Sequence, residues 1–126
     1  MVGTKERVIL VVDDNPDHLK GFRVILESGG YSVVECKSGK EALTALGEKK
    51  FDLMTLDLSM PDVDGFEVLR VVRSKYPELK VVVVSGFLQG SMNKAAKALG
   101  AVVTLDKDVA ADSLLTVVDG LVKNPK

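Results

Sequence analysis

Arg7-Val8-Ile9-Leu10-Val11-Val12-Asp13-Asp14 is an apolar run closed by two adjacent carboxylates. The same punctuation recurs along the chain. Residues 51–56 lead to Asp57, Val81-Val82-Val83-Val84 leads to Ser85, and residues 101–106 lead to Lys107. Short runs rich in β-branched residues, with helical stretches between them, are the pattern of strands buried on both faces of a parallel sheet. In an open α/β sheet the ligand crevice lies at the carboxyl ends of the strands. Three carboxylates, one hydroxyl and one ammonium are therefore expected to meet at one place.

Working outward from residues 7–12, Asn15-Pro16 is a helix start. Asn15 can cap free amides, and Pro16 needs no N–H in the first turn. Gly29-Gly30 ends that helix, and residues 31–36 form a second strand. Ser38 with Glu41 three residues on is a capping box for a helix over residues 39–49. A third strand over 51–57 and a loop at 60–65 precede a helix over 66–75. A fourth strand covers 79–85, a small helix 91–99, a fifth strand 101–105 and a last helix 110–123. The expectation is an α/β fold, (βα)₅ and doubly wound, with a five-stranded parallel sheet in the flavodoxin-like order 2-1-3-4-5. The switch point then falls between the first and third strands, the two that carry Asp13, Asp14 and Asp57. Residues 1–126 read as a single domain with a core over about 5–122.

Several carboxylates at a buried strand end repel one another unless a cation joins them. Mg²⁺ suits such a place, since it takes carboxylate, water and phosphate oxygens in octahedral geometry. Asp14 and Asp57 are candidate direct ligands, with Asp13 acting through water and the Ser59 carbonyl adding an oxygen. Lys107 brings a fixed positive charge, and Ser85 a hydroxyl that can donate to a phosphoryl oxygen. The set favours Asp57 as a nucleophile toward an activated phosphoryl group, because carboxylates form aspartyl phosphates and the transfer needs positioning and charge neutralisation. No glycine-rich phosphate loop follows the first strand, so the phosphoryl group is expected from another protein or a small donor.

Composition narrows the classes. With 17 basic and 18 acidic residues and a net charge of −1, the chain shows no surface dedicated to nucleic acid or membrane. The first residues lack the apolar stretch of a signal peptide, and no run approaches the ~20 residues of a membrane span. A cytoplasmic protein is expected. Cys36 is the single cysteine, so no intrachain disulfide can form. It reads as a small core residue, and His18, the single histidine, as an ordinary residue of an early helix.

The motifs in order are Val11-Val12-Asp13-Asp14-Asn15-Pro16, then Asp57-Leu58-Ser59-Met60-Pro61 with Asp62, Asp64 and Gly65, then Val84-Ser85-Gly86, then Asp106-Lys107. Together they resemble the response-regulator receiver domain of two-component signalling over nearly the whole chain. The resemblance implies Asp57 as phosphoacceptor, Asp13 and Asp14 as the acidic metal pocket, Ser85 as the switch hydroxyl and Lys107 as the phosphoryl-binding lysine. It also implies Mg²⁺, a sensor histidine kinase or histidine phosphotransfer protein as donor, and an output domain or effector. Such a protein is no metabolic enzyme; it catalyses only its own phosphorylation and dephosphorylation.

Two residues depart from the family. Asp108 stands where relatives usually have proline after the lysine, which predicts a trans peptide and a rearranged loop, with Asp106 and Asp108 able to draw Lys107 away. Thr104 stands where many relatives carry an aromatic side chain, which points to weakened or rerouted coupling. Both motivate an alternative, a phosphorylation-independent pseudo-receiver used as a protein-interaction module. A stand-alone aspartyl-phosphate phosphohydrolase fits less well, because the position two past Asp57 is Ser59 rather than a second acid. Apolar residues at the edge of the last helix, with Met92, Ala95 and the fifth strand, mark a candidate homodimer or effector surface.

Overall fold

The buried apolar runs become five parallel strands: β1 (Val8–Val12), β2 (Ser32–Cys36), β3 (Leu53–Leu56), β4 (Lys80–Ser85) and β5 (Val103–Asp106). They stand in the order β2-β1-β3-β4-β5. The helices between them are α1 (Pro16–Ser28), α2 (Gly39–Glu48), α3 (Gly65–Lys75), α4 (Gly90–Ala98) and α5 (Lys107–Val122). The structure is a computed structural model that describes residues 6–58, 65–86 and 90–123.

Period-two alternation sends each strand's side chains to two cores. Leu10, Val12, Met54, Leu56, Val81 and Val83 face one side, covered by Ala42 and Leu46 of α2, Val68, Leu69 and Val72 of α3, and Ala96 of α4. Ile9, Val11, Leu53, Val82 and Val84 face the other, covered by Leu19, Phe22 and Leu26 of α1 and Ala110, Leu114 and Val118 of α5. Every residue of β1 and β3 is buried, as central strands require, whereas edge strand β5 is half-buried throughout.

The local signals act as the residues dictate. The Asn15 side chain accepts from the N–H groups of Asp17 and His18, opening α1. Glu41 N–H donates to Ser38 Oγ at 3.1 Å, while the Glu41 carboxylate takes the Lys37 N–H at 2.8 Å, one residue earlier than the usual box. Gly30, at φ 93°, makes the left-handed turn that closes α1.

Several boundaries differ from expectation by one to three residues. β3 starts at Leu53 because the Asp52 carboxylate itself accepts the Val8 N–H at 2.8 Å. β5 covers Val103–Asp106, starting two residues later and ending one residue later than the apolar pattern suggests. Most relevant to the site, α5 begins at Lys107 rather than Ala110. No peptide bond among the described residues is cis, as anticipated for Lys107–Asp108. The rearranged loop anticipated there is instead the first turn of the helix.

Candidate functional site

The parallel ladder brings the carboxyl ends of β1, β3, β4 and β5 to one edge. Asp13 and Asp57 continue the hydrogen bonding one residue past their strands, Asp13 N–H to the Cys36 carbonyl at 3.1 Å and Asp57 N–H to the Val12 carbonyl at 3.0 Å. Their side chains are therefore placed by main chain. Both are buried, at 1% and 3% exposure, while Asp14 reaches solvent. One carboxylate oxygen from each of Asp13, Asp14 and Asp57 lies within 4.8 Å of the others.

Lys107, the first residue of α5, extends its ammonium into this acidic pocket. Nζ stands 3.1 Å from Asp57 Oδ2 and 3.0 Å from Asp13 Oδ2. Burial opposes the charge of Lys107, but the hydrogen bonds and negative charge of Asp13 and Asp57 outweigh it, and its pKa is raised. The expectation that Asp106 draws the lysine away is thus corrected, since the ammonium sits at two buried carboxylates, whose attraction is strong in a poorly solvated place. The Asp108 side chain lies outside the described residues, as do Ser59, the expected carbonyl ligand, and Asp62 and Asp64.

Each Asp13 oxygen has its own environment. Oδ1 accepts the Asn15 N–H at 2.9 Å. Oδ2 is buried and accepts no well-directed hydrogen bond among the described residues, although the Lys107 ammonium is at ion-pair distance. An undersatisfied buried carboxylate oxygen beside two further carboxylates is a donor set that fits a hard divalent cation. Ser85 is fully buried at the end of β4, and its hydroxyl has no hydrogen-bond partner among the described residues. Gly65 opens α3 against the Asp57–Leu58 backbone, its N–H donating to the Leu58 carbonyl at 3.2 Å. A Cβ there would stand 2.5 Å from Leu58 Cα and 2.7 Å from the Asp57 carbonyl oxygen.

Two features escaped the reading of the sequence. His18 is an ordinary helical residue by its sequence context, yet its Nδ1 lies 2.9 Å from Lys107 Nζ and 3.3 Å from Asp13 Oδ2. The signal was its place in the first turn of α1, just past the cap that follows Asp13-Asp14. Thr104, on the α4-facing side of β5, hydrogen-bonds through Oγ1 to the Asn93 side chain on α4 at 2.6 Å. Cys36 is buried as expected; burial, with the Glu41 charge, pushes its thiol up to about 11. A cavity of about 460 Å³ lined by Leu46, Lys49, Phe51, Tyr76 and Leu79 opens at the amino ends of β3 and β4, away from the acidic cluster.

A family model of the response regulator receiver domain matches residues 9–119. The chain belongs to that family. Among curated relatives of this receiver domain, the transcriptional regulatory protein GlrR of Escherichia coli K12 is 35% identical over 113 residues, covering 88% of the chain and 25% of GlrR. The CAI-1 autoinducer sensor kinase/phosphatase CqsS of Vibrio cholerae is 38% identical over 82 residues, 65% of the chain and 12% of CqsS. The receiver domain thus spans a quarter or less of these two relatives. Among solved structures, a CheY-like receiver domain protein from Methanospirillum hungatei superposes with a TM-score of 0.90 at 27% identity, covering 95% of this chain and 96% of the other. A response regulator receiver protein from Pseudomonas putida gives 0.86 at 30% identity, with coverages of 93% and 98%. No helix among the described residues is long and apolar enough to cross a membrane.

Proposed function

We propose that Asp57 accepts a phosphoryl group from a histidine kinase or histidine phosphotransfer protein in a Mg²⁺-dependent reaction in the cytoplasm. The phosphorylated domain then presents an altered surface to an output partner. The observation that carries this reading is the Lys107 ammonium between Asp57 Oδ2 and Asp13 Oδ2, with Asp14 completing the acidic cluster.

Transfer forms an Asp57 Oδ–P bond and breaks the P–N bond of the donor phosphohistidine, whose ring departs with the electron pair. Asp57 is held by its main chain and faces a cation, so the nucleophile is oriented before the donor arrives. Lys107 has three donors. It can turn the one now on Asp57 toward a phosphoryl oxygen while keeping Asp13. The Ser85 hydroxyl is a buried donor in need of an acceptor, and a phosphoryl oxygen on Asp57 would supply one. Asp13, Asp14 and Asp57 would hold the divalent cation, which neutralises charge on the transferring group. The second half, hydrolysis of the aspartyl phosphate, breaks the Asp57 Oδ–P bond and releases inorganic phosphate, with water as the only further reactant. Switching would proceed through the α4–β5 surface, where Thr104 and Asn93 stand in place of an inward-turning aromatic ring.

Intact-mass measurement after incubation with Mg²⁺ and acetyl phosphate or phosphoramidate tests this, with Asp57→Asn as control. The expected result is one added phosphoryl group on the natural chain and none on the variant. No addition from either small donors or a purified phosphohistidine protein would leave the pseudo-receiver as the better description.

A further inference from the structure

We propose that His18 is a positioning residue of the phosphotransfer site, holding the Lys107 ammonium through its ring Nδ1. The inference rests on the receiver function proposed above and assigns that site a further member, contributed by α1.

Lysine offers three N–H donors and no acceptor. Lys107 Nζ has three partners at hydrogen-bond distance: His18 Nδ1 at 2.9 Å, Asp13 Oδ2 at 3.0 Å and Asp57 Oδ2 at 3.1 Å. The ammonium hydrogen-bonds His18 and Asp57 and pairs with the Asp13 charge, so one of its three places is taken by a ring nitrogen. The ring must receive that bond on the Nδ1 lone pair, so its proton resides on Nε2. The alternative, Nδ1–H donating to Asp13 Oδ2 at 3.3 Å, would set an N–H against the ammonium at 2.9 Å.

The backbone prepares this arrangement. His18 lies in the first turn of α1, where its N–H bonds to the Asn15 side chain. Its ring packs beside that of Phe22 one turn on, with centroids 6.3 Å apart. The His18 side chain is 39% exposed and that of Lys107 17% exposed, so the contact lies nearer solvent than the buried carboxylates. A lysine stem is flexible, and two carboxylates alone leave its head free to swing between them. A third, uncharged acceptor on the solvent side fixes the direction of approach without adding negative charge where a phosphoryl group must enter. When Asp57 Oδ2 is given up to phosphorus, Asp13 and His18 still hold the ammonium.

The test compares His18→Leu and His18→Asn with the natural chain. Asparagine places a carbonyl acceptor near the Nδ1 position, and leucine none. Phosphorylation by phosphoramidate and Mg²⁺ is followed by intact mass. The leucine variant should react about tenfold more slowly, the loss of one hydrogen bond to a charged group. The asparagine variant should recover to within about threefold of the natural rate. Because His18 is the single histidine, a long-range proton–nitrogen spectrum at about pH 8 reads its ring without assignment. It should show the Nε2–H form with an Nδ1 resonance that moves on Lys107→Met substitution.

Equal rates for all three proteins, or equal loss in both variants, would overturn the proposal. So would an Nδ1–H ring, or a spectrum blind to Lys107. If the natural chain accepts no phosphoryl group at all, the receiver function fails instead, and the ring spectrum still decides whether His18 holds the lysine.

Discussion

Replacing Gly65 by alanine tests whether the start of α3 and the phosphoacceptor strand share one rigid contact. The added Cβ would lie 2.5 Å from Leu58 Cα, against the 3.4 Å at which ordinary contact begins, an overlap of about 0.9 Å. Its second neighbour, the Asp57 carbonyl oxygen at 2.7 Å, is also main chain, so no side-chain rotation relieves both. Overpacking of this kind costs about 2 kcal/mol. At this chain length that lowers the melting temperature by roughly 8 °C. The larger effect should be on chemistry, because a displacement approaching ~1 Å in a reacting group costs on the order of a hundredfold in rate. Thermal denaturation and the rate of phosphorylation by phosphoramidate measure the two effects. Gly47→Ala is the control: it sits within α2 with nothing within 4 Å of its Cβ, and alanine there should stabilise slightly. A Gly65→Ala protein that melts within about 2 °C of the natural chain and accepts phosphate at the same rate would refute the argument.

Lys107→Met leaves Asp13 and Asp57 buried without their countercharge; stability at neutral pH should fall by about 1–3 kcal/mol in urea titration and recover on adding Mg²⁺. Thr104→Val removes the bond to Asn93 at a cost of about 0.5–1.5 kcal/mol, and amide exchange should accelerate in α4 more than in α2. Cys36 should resist a thiol reagent at about pH 8 until the chain unfolds, since it is buried and its thiol is raised. Burial, with the Asp119 hydrogen bond and charge, raises Tyr31, and Lys107 is raised as well. In both cases the unfolded chain loses its proton first, so stability should fall as pH rises above about 10, seen as earlier urea unfolding.

The strand order and the meeting of Asp13, Asp14, Asp57 and Lys107 were readable from the residues alone. Buried parallel strands carry apolar residues on both faces, and the first polar residue after each marks its carboxyl end. That logic weakens at the sheet edge. β5 is half-buried along its length, so its limits left no sharp apolar boundary. It also says nothing of side chains that arrive from helices. His18 reaches Lys107 across 89 positions, and Asn93 meets Thr104 from another element. Such pairs depend on how helices pack, which local periodicity does not encode. Gly65 lies between these cases: its place in the motif was visible, while its steric reason needed the Leu58 backbone.

Asn15 joins two tasks that are usually separate. Its side chain opens α1, and its own N–H grips Asp13 Oδ1 at 2.9 Å. Fraying of the first turn therefore releases an acid of the pocket, and loss of the pocket loosens the turn. Helix nucleation and assembly of the acidic centre become one cooperative event. Partly folded chains in which α1 has not formed would then hold Asp13 unoriented, and reactivity at Asp57 would appear only as folding completes.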